Sequence, residues 1–297
     1  RRERASCAWD DSSIGCRQLG RYPGTLRFPG TVIQMQILLT NDDGIEAPGL
    51  IPFARALQSI GEVVVVVPDR ERSWVAKAIT RFDPVTVDQR TVGGIEIHAC
   101  SGYPADCVQL GIHLLSKARP DIVVSGVNVG YNHGTAYLQS SGTAGAALEA
   151  AIAGVPAVAF STGSESVPWK EWKEWAIGPD AGPMWERVGQ VAAGVVVDAY
   201  PLLQGGDVLN VGVPDTADEN TARRITRVAR VGYDRLFAEE SPGVFVHMYG
   251  GLVNAEDDTD GTTDVGAAAE GVIAITPISG AGDAVRKVDL KGLVGGR

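Results

Sequence analysis

The residues best suited to do chemistry lie in one short run, ILLTNDDG, from Ile37 to Gly44. Asp42 and Asp43 are adjacent carboxylates placed directly after a β-prone apolar segment, Ile37 to Thr40. In an open α/β sheet, ligands gather just beyond the carboxyl ends of the strands. Two acids held there repel each other, and both stay ionised only beside a compensating positive charge. A divalent cation is the simplest such charge. The competing explanation is structural, because Asp commonly caps helices and closes turns.

Other polar loops are candidates to meet that pair. PDRERSWVAKAIT, Pro68 to Thr80, follows EVVVVVP, a β-branched run of the kind covered on both faces of a sheet. DIVVSGVNVGYNHG, Asp121 to Gly134, releases a buried strand at Ile122 to Val124 into a glycine-punctuated loop carrying Asn128 and Asn132. SSGTAGAALEAAIAGVP then predicts a small-residue helix from Gly142 to Ala153. Backbone N–H groups at such a helix start, from Gly142 on, can hold an anion. The hydroxyls of Ser140, Ser141 and Thr143 and the amide of Asn132 could join them on a phosphate. Tight packing on the sheet explains the small residues equally well. His133 is the sole histidine in these loops and is read as a surface residue, with a leaving-group role as the alternative.

The elements that must position these groups alternate strand and helix. Leu50, Phe53, Ala54 and Leu57 fall at helical spacing, which predicts a helix over 48–59, ended by Gly61. Strand, helix, strand is the opening of a parallel sheet. Runs near Val85–Asp88 and Ile95–His98 suggest a hairpin, and 105–117 a helix with Val108, Ile112 and Leu115 on one face. AVAFS, after Pro156, is a further strand. In VPWKEWKEWAI, Trp169, Trp172 and Trp175 are three apart and are expected on one helical face. Core packing or a subunit contact is the reading taken for them, with substrate stacking as the alternative. An amphipathic helix is expected over 184–199 and a strand from Asp207. RRITRVARVG and GVFVHMYG alternate and read as antiparallel strands. A short helix over 263–270 precedes a last strand, GVIAITPIS. AEDDTDGTTD is acidic and turn-rich but lacks the ligand order of a calcium loop. The predicted fold is α/β, one mostly parallel sheet flanked by helices, with a smaller, partly antiparallel β appendage at about 220–262.

The whole chain sets further bounds. Its 297 residues carry a net charge of −10, with 44% hydrophobic and 21% charged residues and 37 glycines. The acidity opposes stable nucleic-acid binding and adsorption to an anionic membrane. No run approaches the roughly 18 apolar residues of a membrane span. Cys7, Cys16, Cys100 and Cys107 have no C-x-x-C spacing and read as reduced thiols of a cytoplasmic protein. Residues 1–34 carry six Arg, no apolar periodicity and no secretory h-region. They are expected to be a disordered or non-native leader, with Met35 as the natural start, and 286–297 a tail.

Taken in order, ILLTNDDGIEAPGL, PDRERS, SGVNVGYNHG, SSGTAGAALEAAIAGVPAVAFS and TDVGAAAEGVIAITPIS resemble the SurE family of survival-protein phosphatases, 5′/3′-nucleotidases acting on nucleoside monophosphates. The likeness spans roughly 35–280 and makes 35–285 a Rossmann-like phosphatase domain. It implies one divalent ion per subunit held by Asp42, Asp43, Ser73 and Asn128. Four hard oxygens suit Mg²⁺ or Mn²⁺ better than zinc. Metal-assisted hydrolysis follows, with Asp42 or Asp43 taking the proton of the attacking water. The resemblance also implies a homodimer or homotetramer formed through the appendage. After Ser73 the family has a small residue and soon an asparagine; Trp74 and Lys77 stand here, which bears on base and sugar preference. Other phosphate-handling folds fit less well. Asn41 replaces the start of an Asp-x-Asp pair, Ser125-Gly126 ends the strand where a receiver domain needs an acceptor Asp, and no G-x-G-x-x-G follows the first strand. A non-catalytic nucleotide- or metal-binding module is the remaining alternative.

Overall fold

The computed structural model describes residues 35–248 and 261–278, together with the strand backbone at 27–28, 31–32 and 252–254. Contacts divide the chain into two units, Arg1–Ile33 and Gln34–Arg297. In the first, β1 (Arg27–Phe28) pairs antiparallel with β2 (Thr31–Val32). The rest of the expected leader, Cys7 and Cys16, most of the acidic 255–264 loop and the 286–297 tail lie outside the described residues.

The second unit begins with β3 (Met35–Thr40), α1 (Leu50–Gln58) and β4 (Gly61–Pro68). A hairpin of β5 (Val87–Val92) and β6 (Ile95–Cys100) follows, then α2 (Pro104–Leu110). β7 (Ile122–Val129), α3 (Gly134–Ser140), α4 (Gly142–Ile152) and β8 (Ala157–Gly163) come next. After them run α5 (Trp169–Ala176), α6 (Gly182–Ala199) and β9 (Val208–Pro214). The last third holds β10 (Arg223–Ile225), β11 (Val231–Tyr233), β12 (Phe237–Ser241), β13 (Val244–His247), β14 (Leu252–Asn254), α7 (Asp264–Ala269) and β15 (Ile273–Ile278).

Nine strands form one sheet in the order β10-β15-β9-β8-β7-β3-β4-β6-β5. The six from β6 to β9 are mutually parallel. β5 and β15 join them antiparallel. The period-2 geometry of strands explains the core. Ile37, Leu39, Val65, Val67, Ile122 and Val124 face one apolar cluster with Phe53, Leu57, Trp185 and Val188 of α1 and α6. Leu38, Val66 and Val123 face the other, with Cys107, Val108, Ala146 and Ala150 of α2 and α4. Phe53 is fully buried and meets Phe160 edge to face at 5.6 Å, so Phe53→Ala would cost about 3–5 kcal/mol. Cys100 and Cys107 are buried free thiols. Among the described residues no helix is long and apolar enough to cross a membrane.

Several elements of the structure differ from the sequence reading. β10, expected antiparallel, runs parallel to β15 at the sheet edge. A parallel pair requires a long crossover, and the segment between them supplies it; among the described residues there, the antiparallel pairs are β11–β14 and β12–β13. The expected 105–117 helix stops at Leu110 and continues as a π-turn, Gly111–Leu115. A Cβ at Gly111 would lie 2.5 Å from Leu38. α3 occupies Gly134–Ser140, a stretch beyond the loop ending at Gly134 to which the sequence reading assigned no element. The three tryptophans do not share a buried face: Trp172 is 2% exposed, Trp169 48% and Trp175 43%. Steps of three residues drift around a helix of 3.6 residues per turn, so the outer two diverge.

Candidate active site

β3 lies between β4 and β7, so chain direction around the sheet reverses at its carboxyl end, where a crevice opens. A cavity of about 560 Å³ occupies it. Asp42, Asp43, Ser73, Asn128, Asn132, Ser140 and Ser141 all line this cavity, while Gly142 and Thr143 do not.

The turn after β3 is closed by Asn41, whose Nδ2 donates to Gly44 O at 3.0 Å and whose Oδ1 accepts from Gly44 N at 3.1 Å. Gly44 has φ +85°, and a Cβ there would lie 2.6 Å from the Arg70 backbone. Asp42 is buried, 3% exposed. The Thr143 hydroxyl donates to its Oδ1 at 2.5 Å, and the Thr143 and Gly142 backbone amides also favour its charge. Asp43 Oδ2 accepts from Val129 N–H at 3.0 Å. Burial pushes the Asp42 carboxyl up to about 6. Burial and the neighbouring Asp42 charge push Asp43 up to about 8, against the opposing pull of the Lys173 ammonium. A cation between the two would reverse both shifts.

The start of α4 thus grips a protein carboxylate. Ser141 caps the helix by accepting from Ala144 N–H at 3.0 Å. The Ser140 hydroxyl lies 3.0 Å from Ala136 O and 3.1 Å from the Tyr233 hydroxyl. The small residues of α4 have a packing reason as well. A Cβ at Gly142 would meet Asp42 at 2.8 Å, and one at Gly145 the Ala76 carbonyl at 2.4 Å.

Ser73 reaches the cavity on the loop after β4. Arg72 N–H donates to Asp42 O at 2.7 Å and Ala76 N–H to Ser140 O at 2.9 Å, which ties the loop to both β3 and α3. Trp74 and Ala76 hold φ of +61° and +51°, a left-handed conformation that costs a non-glycine residue about 1–3 kcal/mol. The Ser73 hydroxyl donates to Glu71 at 2.7 Å, which leaves its oxygen lone pairs available.

Asn128 comes from the irregular end of β7. The register shifts between Ser125 and Asn128, and Gly126 has φ +127° with room for a Cβ only 2.3 Å from Phe160 O. Asn128 Nδ2 donates to Gly130 O at 2.6 Å, turning Oδ1 to within 3.3 Å of the Thr143 hydroxyl. Thr143 thereby links Asp42 and Asn128. Asn132 is 6% exposed, and its Nδ2 has no partner among the described residues. His133, expected at the surface, is instead 7% exposed and stacks on Tyr131 at 4.8 Å. Its loop runs straight into α3, which covers it. Burial pushes its imidazole down to about 4, so it is neutral at pH 7, and its Nδ1 is unpartnered.

The donor chemistry fits a hard divalent ion. Among the described residues no group of three or more His, Cys, Asp or Glu could hold a metal, so a set here needs hydroxyl and amide oxygens beside the two aspartates. Ser73 and Asn128 offer them. Sequence reasoning missed several cavity residues, Glu71, Tyr131, Tyr137, Glu165, Lys173 and His247, while Trp169, for which substrate stacking was the alternative reading, does line the cavity. The W-x-x-W-K pattern at 169–173 was the available signal, since a lysine four residues after an aromatic can lie over its ring.

Comparison with known proteins gives a consistent picture. A family model described as "Survival protein SurE" matches residues 37–235. A protein of Methanococcoides burtonii named 5′-nucleotidase SurE is 36% identical over 250 residues, covering 82% of this chain and 93% of its own. Its namesake from Rubrobacter xylanophilus is 39% identical over 253 residues, covering 82% and 91%. The crystal structure of the SurE protein from Aquifex aeolicus superposes with a TM-score of 0.66 at 28% identity, covering 87% of this chain and 99% of that one.

Proposed function

The chain belongs to the survival protein SurE family, and we propose that it is a metal-dependent phosphomonoesterase that hydrolyses nucleoside 5′- and 3′-monophosphates. The observation that carries this reading is the convergence of Asp42, Asp43, Ser73 and Asn128 on one cavity, with the paired carboxylates held where burial penalises their charge. The relatives' name, 5′-nucleotidase SurE, supports the substrate class.

Those four residues would hold one Mg²⁺ or Mn²⁺ per subunit. When bound, such an ion supplies charge that polarises a phosphoryl oxygen and acidifies water. The residues themselves do the rest. Thr143 and the Val129 N–H each occupy one oxygen of Asp42 and Asp43, leaving the other oxygen of each carboxylate for the ion or for the proton of the attacking water. Asn132 Nδ2, buried and without an acceptor, is suited to a phosphate oxygen. Ser140 and Ser141 stand on the same wall as further hydroxyl contacts. Trp74 and Tyr137 form an aromatic wall, 6.3 Å apart and edge to face, on which a nucleoside can rest. The reading includes a cytoplasmic protein that assembles as a homodimer or homotetramer; the exposed apolar face of β12–β13 supports the assembly.

Phosphate release from a panel of nucleoside 5′- and 3′-monophosphates, with Mg²⁺, Mn²⁺, Zn²⁺ or chelator, tests it. Turnover with Mg²⁺ or Mn²⁺ that stops with chelator is the expected result. Nucleotide binding without turnover under every ion would indicate a non-catalytic module instead.

A further inference from the structure

The cavity is crowded with negative charge. Asp42, Asp43, Glu71 and Glu165 all line it, and the chain as a whole is acidic. A phosphate monoester is a dianion near neutral pH, so it enters against this field unless the protein supplies a cation of its own.

The basic residues nearest the loops are committed elsewhere. Lys77 Nζ pairs with the buried Glu149 at 2.5 Å. Arg72 reaches the Ser101 carbonyl at 2.5 Å and lies over the Tyr103 ring. Arg70 and Arg72 both lie 3.9 Å from Asp69. Lys173 differs from all three. It is the one Lys or Arg among the described residues that line the cavity, and no carboxylate of those residues lies within ion-pair distance of it.

Its position is fixed by packing. Trp172 anchors α5: it is 2% exposed and donates Nε1–H to Asp215 at 2.9 Å. Trp169 stacks on Trp172 at 5.8 Å, and its ring lies on Gly130, where a Cβ would be 2.7 Å away. Lys173, one turn on, sets its Nζ 5.8 Å from the Trp169 ring centroid. The ring face steers the ammonium without neutralising it.

We propose that Lys173 is a phosphate-binding residue of this site, its ammonium pairing with an anionic oxygen of the substrate's phosphate on the side facing α5. The inference rests on the phosphomonoesterase reading and adds a residue to it. With the ion balancing Asp42 and Asp43, the ammonium offsets the carboxylate charge of Glu71 and Glu165 that remains on the cavity wall. Asn132, on the loop that Trp169 covers, would supply a neutral donor to the same group.

Titration of inorganic phosphate into the Mg²⁺-loaded protein by calorimetry tests this without turnover. Lys173→Ala is expected to weaken phosphate binding by about 10- to 100-fold, the worth of a hydrogen bond to a charged group. Lys173→Arg should keep most of it, and the wild-type affinity should fall more steeply with added NaCl than that of the Ala variant. Lys173→Met retains the stem over Trp169 and reads the charge alone if the Ala variant is less stable. Equal phosphate affinity and equal salt dependence in wild type and Lys173→Met would overturn the proposal. A wild type that binds phosphate through Lys173 but hydrolyses no monophosphate sinks the activity and leaves this inference standing. A wild type that hydrolyses monophosphates with the Met variant unchanged in phosphate affinity does the reverse.

Discussion

Asp42 and Asp43 carry opposite consequences for stability and for function. Their carboxyls, at about 6 and about 8, lie above the ordinary value near 4. The folded protein therefore binds their protons more tightly than the unfolded chain. Without metal, their contribution to stability is most favourable below about pH 4 and is lost as pH rises through about 6 and about 8. A bound divalent ion cancels that loss. The melting temperature of the metal-free protein should fall from about pH 5 to about pH 8 more than that of Asp43→Asn, and added Mg²⁺ should raise the wild type most at the higher pH. Identical pH profiles for the two proteins, measured calorimetrically, would contradict it. Asp42 and Asp43 were legible in the sequence because they end a run whose apolar pattern is local, whereas Ser73 and Asn128 were reached only through the resemblance to the SurE family. Lys173 was not legible, because only the docking of α5 through Trp172 brings it to the cavity.

Strands and helices were legible where one period dominates. β4 is five successive valines between Glu62 and Pro68, and α1 places Leu50, Phe53, Ala54 and Leu57 inward. α3 was not legible because GTAYLQS has no apolar period and is held by contacts distant in sequence, such as Thr135 N–H to Ala229 O at 2.8 Å. α4 shows why small residues were ambiguous: they serve packing and site together. Gly145 admits the Ala76–Lys77 backbone of the loop that carries Ser73. Gly145→Ala should therefore destabilise the protein by about 1–3 kcal/mol and also weaken Mg²⁺ binding, since the loop must move. A urea midpoint and a metal titration read the two effects. A variant as stable as wild type with unchanged metal affinity would separate α4 packing from the site.

For the molecule as a whole, the parallel centre of the sheet followed from βα alternation, but its far edge did not. β15 enters between β9 and β10 although the chain reaches it last, and no local pattern encodes that order. The β12–β13 hairpin projects Phe237, Val244 and Phe245 at 59%, 48% and 62% exposure. Exposed strand edges and apolar faces of this kind are association surfaces. Light scattering should therefore give a dimer or tetramer, and Phe245→Glu should shift it towards smaller species while leaving the helical signal unchanged. A wild type that is strictly monomeric at all concentrations removes the proposed assembly.

The central claim is that the twin aspartates hold an ion whose presence permits phosphoester cleavage. Its most direct measurement is phosphate release from a nucleoside monophosphate by chelator-stripped protein on stepwise return of Mn²⁺, wild type beside Asp43→Asn. Saturable restoration in the wild type is the predicted result, with a loss of about a hundredfold or more in a variant that remains folded. Full activity in the stripped wild type, or undiminished activity in Asp43→Asn, would contradict it.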